Sequence, residues 1–339
     1  MSGGVDSSAA MLLSMGKYGR DAVCGITLCL SADHAADEKN CADAKSVCDK
    51  LGVPHVSVDA RAPFEAAVVD YFTAEYFRGH TPNPCVVCNR EIKFGLLYDY
   101  AKANGFEKIV TGHYAVTETV NGVTYLRRAA DMKKDQSYVL AMLSQEQIAA
   151  ADFPLGAMTK PEVRELAASH GFASASRSDS QDICFIPDGD YAKFLKSRCG
   201  ITDQPGDYVD ETGKILGKHK GQWQYTIGQR KGLGISMGKH VFVLDKDAEQ
   251  NRVTLGDEDK LFRTDVTVTD INFISRHTVD PDRTYTVKLR YAHRPAPAKL
   301  TITGNTANLI FDEPQRAPTP GQFAVVYDGD TVVCAGVIE

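Results

Sequence analysis

Two kinds of chemistry are written into short stretches of this 339-residue chain. The first is Ser2-Gly3-Gly4-Val5-Asp6-Ser7-Ser8, which runs straight into a helical pattern over 7–17. Paired glycines let backbone N–H groups turn inward, serine hydroxyls add donors, and the helix behind them points its positive end at an anion. The stretch reads as a phosphate cradle. It lacks the Gly-Lys-Ser/Thr ending of a Walker loop, so a γ-phosphate site with its own lysine is not on offer. Asp6 has no place beside phosphate unless a cation lies between them, which points to Mg²⁺. The second chemistry belongs to thiols. "GHTPNPCVVCNREIKFG" (79–95) sets Cys85 and Cys88 after two prolines and ahead of a helical stretch, and "SDSQDICFIPDGDY" (178–191) presents Cys184. A thiol near a helix N-terminus has its thiolate favoured by the dipole, which suits a nucleophile. The other six, Cys24, Cys29, Cys41, Cys48, Cys199 and Cys334, read as small buried hydrophobes.

Elements must hold these groups in place. Helical patterns at 7–17, 38–52, 63–78 and 91–104 alternate with strand patterns at 22–30, 54–59 and 108–112. Such alternation predicts an α/β domain with a doubly wound parallel sheet, whose ligands gather at the carboxyl ends of the strands. Asn121-Gly122 marks a hairpin, and helices are expected at 144–151 and 160–170. From about residue 203 short strands and turns take over, predicting antiparallel sheet that closes into a small C-terminal barrel. The division expected is a catalytic domain over 1–190, a small central domain over 191–262 and a β-barrel over 263–339. A chain of this length outgrows a single core, since cores stop growing near ~250 residues.

Composition bounds the partners. No apolar run approaches the ~20 residues that span a bilayer, and the N-terminus lacks the layout of a secretory signal. A cytoplasmic location away from membranes is expected, with the nine cysteines reduced. The net charge of −6 argues against binding polyanions with the whole surface. One local patch stands out: residues 213–240 carry Lys214, Lys218, Lys220, Arg230, Lys231 and Lys239 with no acidic residue, and Trp223 and Tyr225 lie among them. Aromatics among cations suggest a nucleic-acid surface.

The string S-G-G-V-D-S-S resembles the pyrophosphate loop of the N-type ATP pyrophosphatases, which implies ATP cleaved between its α and β phosphates and AMP passed to a carbonyl oxygen. In that superfamily the loop follows a buried first strand. None precedes it here, so an internal start and about ten further residues are expected, because a doubly wound sheet without its central strand leaves helix faces uncovered.

The cysteine segments, together with "TGHYA" (111–115), "KKDQSYVL" (133–140), "GQWQYTIGQRKGLGI" (221–235), "KLRYAHRP" (288–295) and "TPGQFAVVY" (319–327), are similar in order and kind to those of bacterial tRNA-specific 2-thiouridylases. That resemblance implies adenylation of the C2 oxygen of wobble uridine 34, followed by sulfur transfer from a cysteine persulfide. Cys184 is implied as the persulfide carrier and Cys88 as the thiol that releases sulfur through a transient disulfide with it. ATP is implied across Ser2, Gly3, Gly4, Val5, Asp6 and Ser7, with Leu28 against the adenine and Gly112 giving close backbone approach. Asn83, Pro84 and Cys85 are implied to face the flipped uridine. His113, Lys134, Asp135, Gln136, Arg290, Tyr291 and Gln322 are implied as tRNA contacts on the anticodon arm, His113 being equally readable as a structural hydrogen-bonder. A sulfur-relay protein or cysteine desulfurase is implied as donor.

Cys85 stands where the family pattern has Asp, which leaves the proton acceptor open. It also makes three thiols available with Cys88 and Cys184, enough for a [4Fe–4S] cluster with one open iron or Zn²⁺ with one open position. Two other functions stay open on the residues alone. An ATP pyrophosphatase amidating a small-molecule acid would need neither Cys88 nor Cys184. A non-catalytic RNA-binding protein would consume no ATP.

Overall fold

The computed structural model describes residues 1–31, 33–172, 183–275 and 279–339. Helix α1 (Val5–Tyr18) is entered through Gly4. Strands β1 (Gly25–Cys29) and β2 (His55–Asp59) pair in parallel, with α2 (His34–Leu51) as the crossover. Asp33 starts α2 by accepting from the Ala35 N–H at 3.0 Å, and Gly52 stops it in the left-handed region at φ 67°. Next come β3 (Ile109–Val110), the hairpin of β4 (Val116–Val120) and β5 (Val123–Arg127), and β6 (Ala151–Asp152). Asn121 and Gly122 both take positive φ, 52° and 78°, as a tight hairpin turn requires.

β3 pairs in parallel with β6, apart from the β1–β2 pair. The α/β class therefore holds, but the parallel strands form two separate pairs. Among the described residues no strand lies between them. A cavity of about 670 Å³ is lined instead by Ile26 and Leu28 of β1 and by Ile109 and Val110 of β3, and the Met1 ammonium donates to the Ile26 carbonyl there.

The middle of the chain is a four-stranded sheet of β7 (Gly206–Val209), β8 (Ile215–His219), β9 (Phe242–Asp247) and β10 (Arg252–Gly256), ordered β8-β7-β10-β9. Its core holds Tyr208, Tyr225, Val243 and Val253. The C-terminal part is β11 (Phe262–Phe273), β12 (Thr284–Lys288), β13 (Ala296–Thr303), β14 (Thr306–Arg316), β15 (Phe323–Asp328) and β16 (Thr331–Ile338). These run antiparallel in the order β11-β14-β13-β12-β15-β16, and β16 returns to β11, so the sheet closes into a barrel with no free edge. Period-two patterning drives it: along β14, Ala307, Leu309 and Phe311 are buried while Ile310 faces out.

The barrel is bolted to the first domain. One core contains Tyr138 and Leu140 together with Phe323, Val325 and Tyr327 of β15. The Tyr138 hydroxyl donates to the Phe323 carbonyl at 2.9 Å, and the Arg128 guanidinium lies 3.9 Å from the Tyr327 ring centre. A second joint ties the segment ahead of Cys85: Thr81 N–H donates to Pro320 O at 2.8 Å, and Gln322 Nε2 donates to Thr81 O at 2.7 Å. Gly321 sits between, at φ 87°, where a Cβ would stand 2.8 Å from His80 Cβ. Gly321→Ala is expected to lower stability by about 2 kcal/mol. The urea midpoint measures it, and an unchanged midpoint would mean that the joint yields freely.

Candidate active site: a nucleotide cavity beside three thiols

The opening loop is shaped by its own hydroxyls. Ser7 and Ser8 donate through Oγ to the Gly4 carbonyl at 3.1 and 2.9 Å, and Ser2 Oγ lies 3.2 Å from Ser7 Oγ. Gly3 adopts φ 67° with room for no side chain, since a Cβ would reach 2.6 Å from Asp43 Cβ. From the other side Gly112 presses on the loop, where its Cβ would meet the Asp6 backbone at 2.8 Å. The close approach at Gly112 is thus to the loop itself. The cation that Asp6 required is Lys160: its Nζ lies 2.8 Å from both carboxylate oxygens, and the Tyr114 hydroxyl donates to Oδ1 at 2.9 Å. Lys160 comes from a helix, Lys160–Ser169, opened by a Thr159/Glu162 capping box. The Asp6 carboxylate thus already has a cation and a hydroxyl as partners.

Ser2, Asp6, Ser7, Leu28 and Gly112 line the 670 Å³ cavity together. Gln136 and His113 line it too, although the sequence reading had placed them against tRNA. So does Lys93, which that reading passed over. The Ser2 and Ser7 hydroxyls at the start of α1 suit the phosphates of a nucleotide.

Asn83 caps the helix Pro84–Cys88 by accepting from the Cys85 N–H at 3.2 Å, with Pro84 at its first position. Cys85 and Cys184 reach the surface and Cys88 is buried. The three form one electrostatic cluster, Cys88 responding to Cys184 and Cys85, and Cys184 to Cys85. The helix dipole does not rule this cluster. Burial pushes all three thiols up, Cys88 to about 11, while the Lys93 charge pulls each of them down. Among the described residues no three His, Cys, Asp or Glu side chains are grouped so as to hold a metal ion.

The expected tRNA contacts divide. Tyr291 is exposed on the barrel and close enough to Cys85 to be influenced by its charge. Lys288 Nζ lies 5.4 Å from the Tyr291 ring centre and 5.7 Å from that of Tyr138. Arg290 is half-exposed in the same turn, and Lys134 is half-buried. The others are committed elsewhere. Asp135 is buried and accepts from Ala129 N–H, Ser137 N–H and Ser137 Oγ, because the turn has backbone donors to satisfy. Gln136 Oε1 accepts from Tyr114 N–H at 2.9 Å. Gln322 belongs to the barrel joint. His113 is buried, 2.7 Å from Thr111 Oγ1 through Nδ1, and held neutral by desolvation well below its usual range.

The basic stretch also needs correction. Trp223 and Tyr225 are buried, Trp223 beside Phe77 at 5.7 Å, so they pack a core and leave no stacking platform. Lys218 and Lys239 pair with Asp207 and Asp257. Of the six cysteines read as hydrophobes, Cys48 and Cys334 are buried, Cys24, Cys29 and Cys41 partly so, and Cys199 is exposed.

Fold and site define a class: a nucleotide-binding α/β domain that also carries three electrostatically coupled thiols, followed by a small β domain and a closed barrel. The family models that match are a tRNA methyl transferase HUP domain over residues 1–188, a tRNA methyl transferase PRC-barrel domain over 192–257 and an aminomethyltransferase beta-barrel domain over 263–338. The tRNA-specific 2-thiouridylase MnmA of Treponema denticola is 42% identical over 354 residues, covering 100% of this chain and 96% of its own. The proteins of the same name from Clostridioides difficile and Moorella thermoacetica are 43% and 44% identical, again over 100% of this chain and over 96% and 98% of theirs. The chain belongs to the tRNA-specific 2-thiouridylase family.

With Cys88 lifted to about 11, its thiolate fraction climbs tenfold per pH unit across the neutral range. Iodoacetamide labelling of Cys88, followed by peptide mass spectrometry, should rise about tenfold between pH 7 and 8 and again between 8 and 9. A rise that slackens to about threefold between pH 8 and 9 would place the thiol in an ordinary environment.

Proposed function

We propose that this chain is an ATP-dependent tRNA-uridine 2-sulfurtransferase that makes 2-thiouridine at wobble position 34. The observation that carries the reading is that Lys93 lines the cavity beside the Ser-Gly-Gly loop while its charge acts on Cys85, Cys88 and Cys184, with Tyr291 of the barrel within the influence of Cys85. A nucleobase can enter such a mouth only once it is out of its stack.

ATP enters as substrate with Mg²⁺ on its phosphates. The uridine O2 attacks the α-phosphorus, the bond to the β-phosphate breaks, and pyrophosphate leaves with the electron pair while N3 gives up its proton. AMP on O2 converts an amide-like oxygen into a leaving group. The terminal sulfur of a Cys184 persulfide then attacks C2, and AMP departs with the C–O electron pair. Cys88 as thiolate attacks Cys184 Sγ, and the sulfur on C2 keeps the S–S electron pair and becomes the thiocarbonyl as N3 regains a proton. The Cys88–Cys184 disulfide left behind is reset by a dithiol reductant, and a persulfide-bearing sulfur-relay protein or cysteine desulfurase reloads Cys184. Cys85, capped at its N–H by Asn83, stands at the uridine in place of a carboxylate. The segment 1–190 supplies the chemistry, while 191–262 and the barrel 263–339 hold the anticodon arm. The setting is the cytoplasm.

Incubation with unmodified tRNA, ATP, Mg²⁺ and a persulfide donor is expected to give 2-thiouridine at position 34. Cys88→Ser and Cys184→Ser should each lose at least about 100-fold while tRNA-dependent pyrophosphate release persists. Normal thiolation by Cys184→Ser would remove the persulfide step, and pyrophosphate release driven by ammonia and a small acid instead of tRNA would favour amidation. Arg290, without an ion pair among the described residues, is expected to contact phosphate. Arg290→Ala should weaken tRNA binding and reduce the slope of log K against log salt by about 1. A salt titration identical to wild type would take Arg290 out of the interface.

A further inference from the structure

The cavity's side-chain cations are Lys93 and Lys108. Lys108 is spent on the Ala149 carbonyl, to which it donates at 2.6 Å. Lys93 makes no hydrogen bond or ion pair among the described residues, although it is half-buried. An ammonium withdrawn from water without an anion is costly, and a site that keeps one has an anion coming to it.

Its position follows from an irregular helix. Residues Asn89–Leu96 wind as a π-helix between the helix Pro84–Cys88 and the helix Leu97–Ala103. Five residues of α-helix would leave Lys93 about 140° round from Cys88, whereas a π turn, hydrogen-bonded from i to i+5, brings the two onto neighbouring faces. The wide turn is built in. The side chain of Gln147 donates to the Arg90 carbonyl at 2.8 Å, and at Gly95 a Cβ would lie 2.9 Å from that oxygen. The outcome is one cation that lines the nucleotide cavity and also acts on Cys85, Cys88 and Cys184, favouring the thiolate in each case.

Resting on the sulfurtransferase reading above, we infer that Lys93 is a further catalytic residue whose ammonium contacts the α-phosphate of ATP and then of the adenylated uridine while facing the three thiols. In the first step it offsets negative charge growing on the α-phosphate oxygens as pyrophosphate leaves. In the second it holds the same phosphate as AMP leaves with the electron pair, and draws the anionic sulfur to the carbon under attack. It transfers no proton and stays charged throughout. One cation therefore couples the two half-reactions.

The test uses Lys93→Met, which keeps the length of the side chain without its charge, and Lys93→Arg, which keeps the charge. Lys93→Met should release pyrophosphate with tRNA about 100-fold more slowly than wild type. Its Cys88 and Cys184 should also be alkylated by iodoacetamide at least about threefold more slowly at pH 8. Lys93→Arg should recover most of both. If Lys93→Met fails to fold, as judged by circular dichroism and thermal melting, Lys93→Gln replaces it with the same expectations. Wild-type rates in either assay, for a folded variant lacking the charge, overturn the inference. Alkylation needs no tRNA, so it judges Lys93 even if the wild-type protein proves inactive on tRNA, which would sink the sulfurtransferase reading instead.

Discussion

The active site depends on the clamp around Asp6. A loop of two glycines and three serines has little stiffness of its own, and its N–H groups bind phosphate well only if they are fixed beforehand. Fixing comes from outside the loop. Lys160 and Tyr114 grip the carboxylate of Asp6, and Gly112 lets the segment carrying Tyr114 pack directly on the loop backbone. The Lys160 side chain is nearly buried whereas that of Asp6 is one-third exposed, at 9% and 34%. Desolvation therefore falls mainly on the lysine. Without the pair, a buried cation would stand beside the phosphate cradle and the first turn of α1 would lose its anchor.

A second constraint acts on the sulfur. Burial holds all three thiols above their ordinary range, so charge-free surroundings alone would leave them protonated and inert. A transfer that needs one sulfur to attack carbon and another to attack sulfur cannot run on thiols in that state. Protection between turnovers and activation during them are separate demands. Burial of Cys88 serves the first, and the Lys93 charge, which lowers all three thiols against the rise from desolvation, works toward the second.

Much of this was legible in the sequence. Period and turn residues were enough for α2 and its Gly52 stop, the Asn121-Gly122 hairpin and the C-terminal barrel, because each is a local pattern with a local cause. The phosphate loop was legible for the same reason. What was hidden was of two kinds. Asp135, Gln322, Trp223 and Tyr225 looked like surface contacts because polarity and charge in a sequence do not tell which groups will be consumed by backbone donors, by a domain joint or by a core. Lys93 was hidden because its face is set by a π turn, and reading with a 3.6-residue period places it away from the thiols. The signal that could have found it is the Gly95 within the helical run, an irregularity with no other use there.

The charge balance fits a division of labour among the three parts. At −6 the surface as a whole repels a polyanion, so nonspecific affinity is weak and docking must come from a few cations placed well. One cation of the barrel, Lys288, lies against Tyr138 and Tyr291, and Tyr138 in turn hydrogen-bonds into β15. The same tyrosine thus belongs to the core joining barrel to nucleotide domain and meets the exposed Tyr291 ring edge to face at 6.0 Å. A barrel free to drift would move its cations relative to the sulfur by the same amount. Because the joint at Tyr138 and the joint at Gly321 both fix the barrel against the first domain, the distance from the barrel's turn at Tyr291 to Cys85 becomes a property of the folded core.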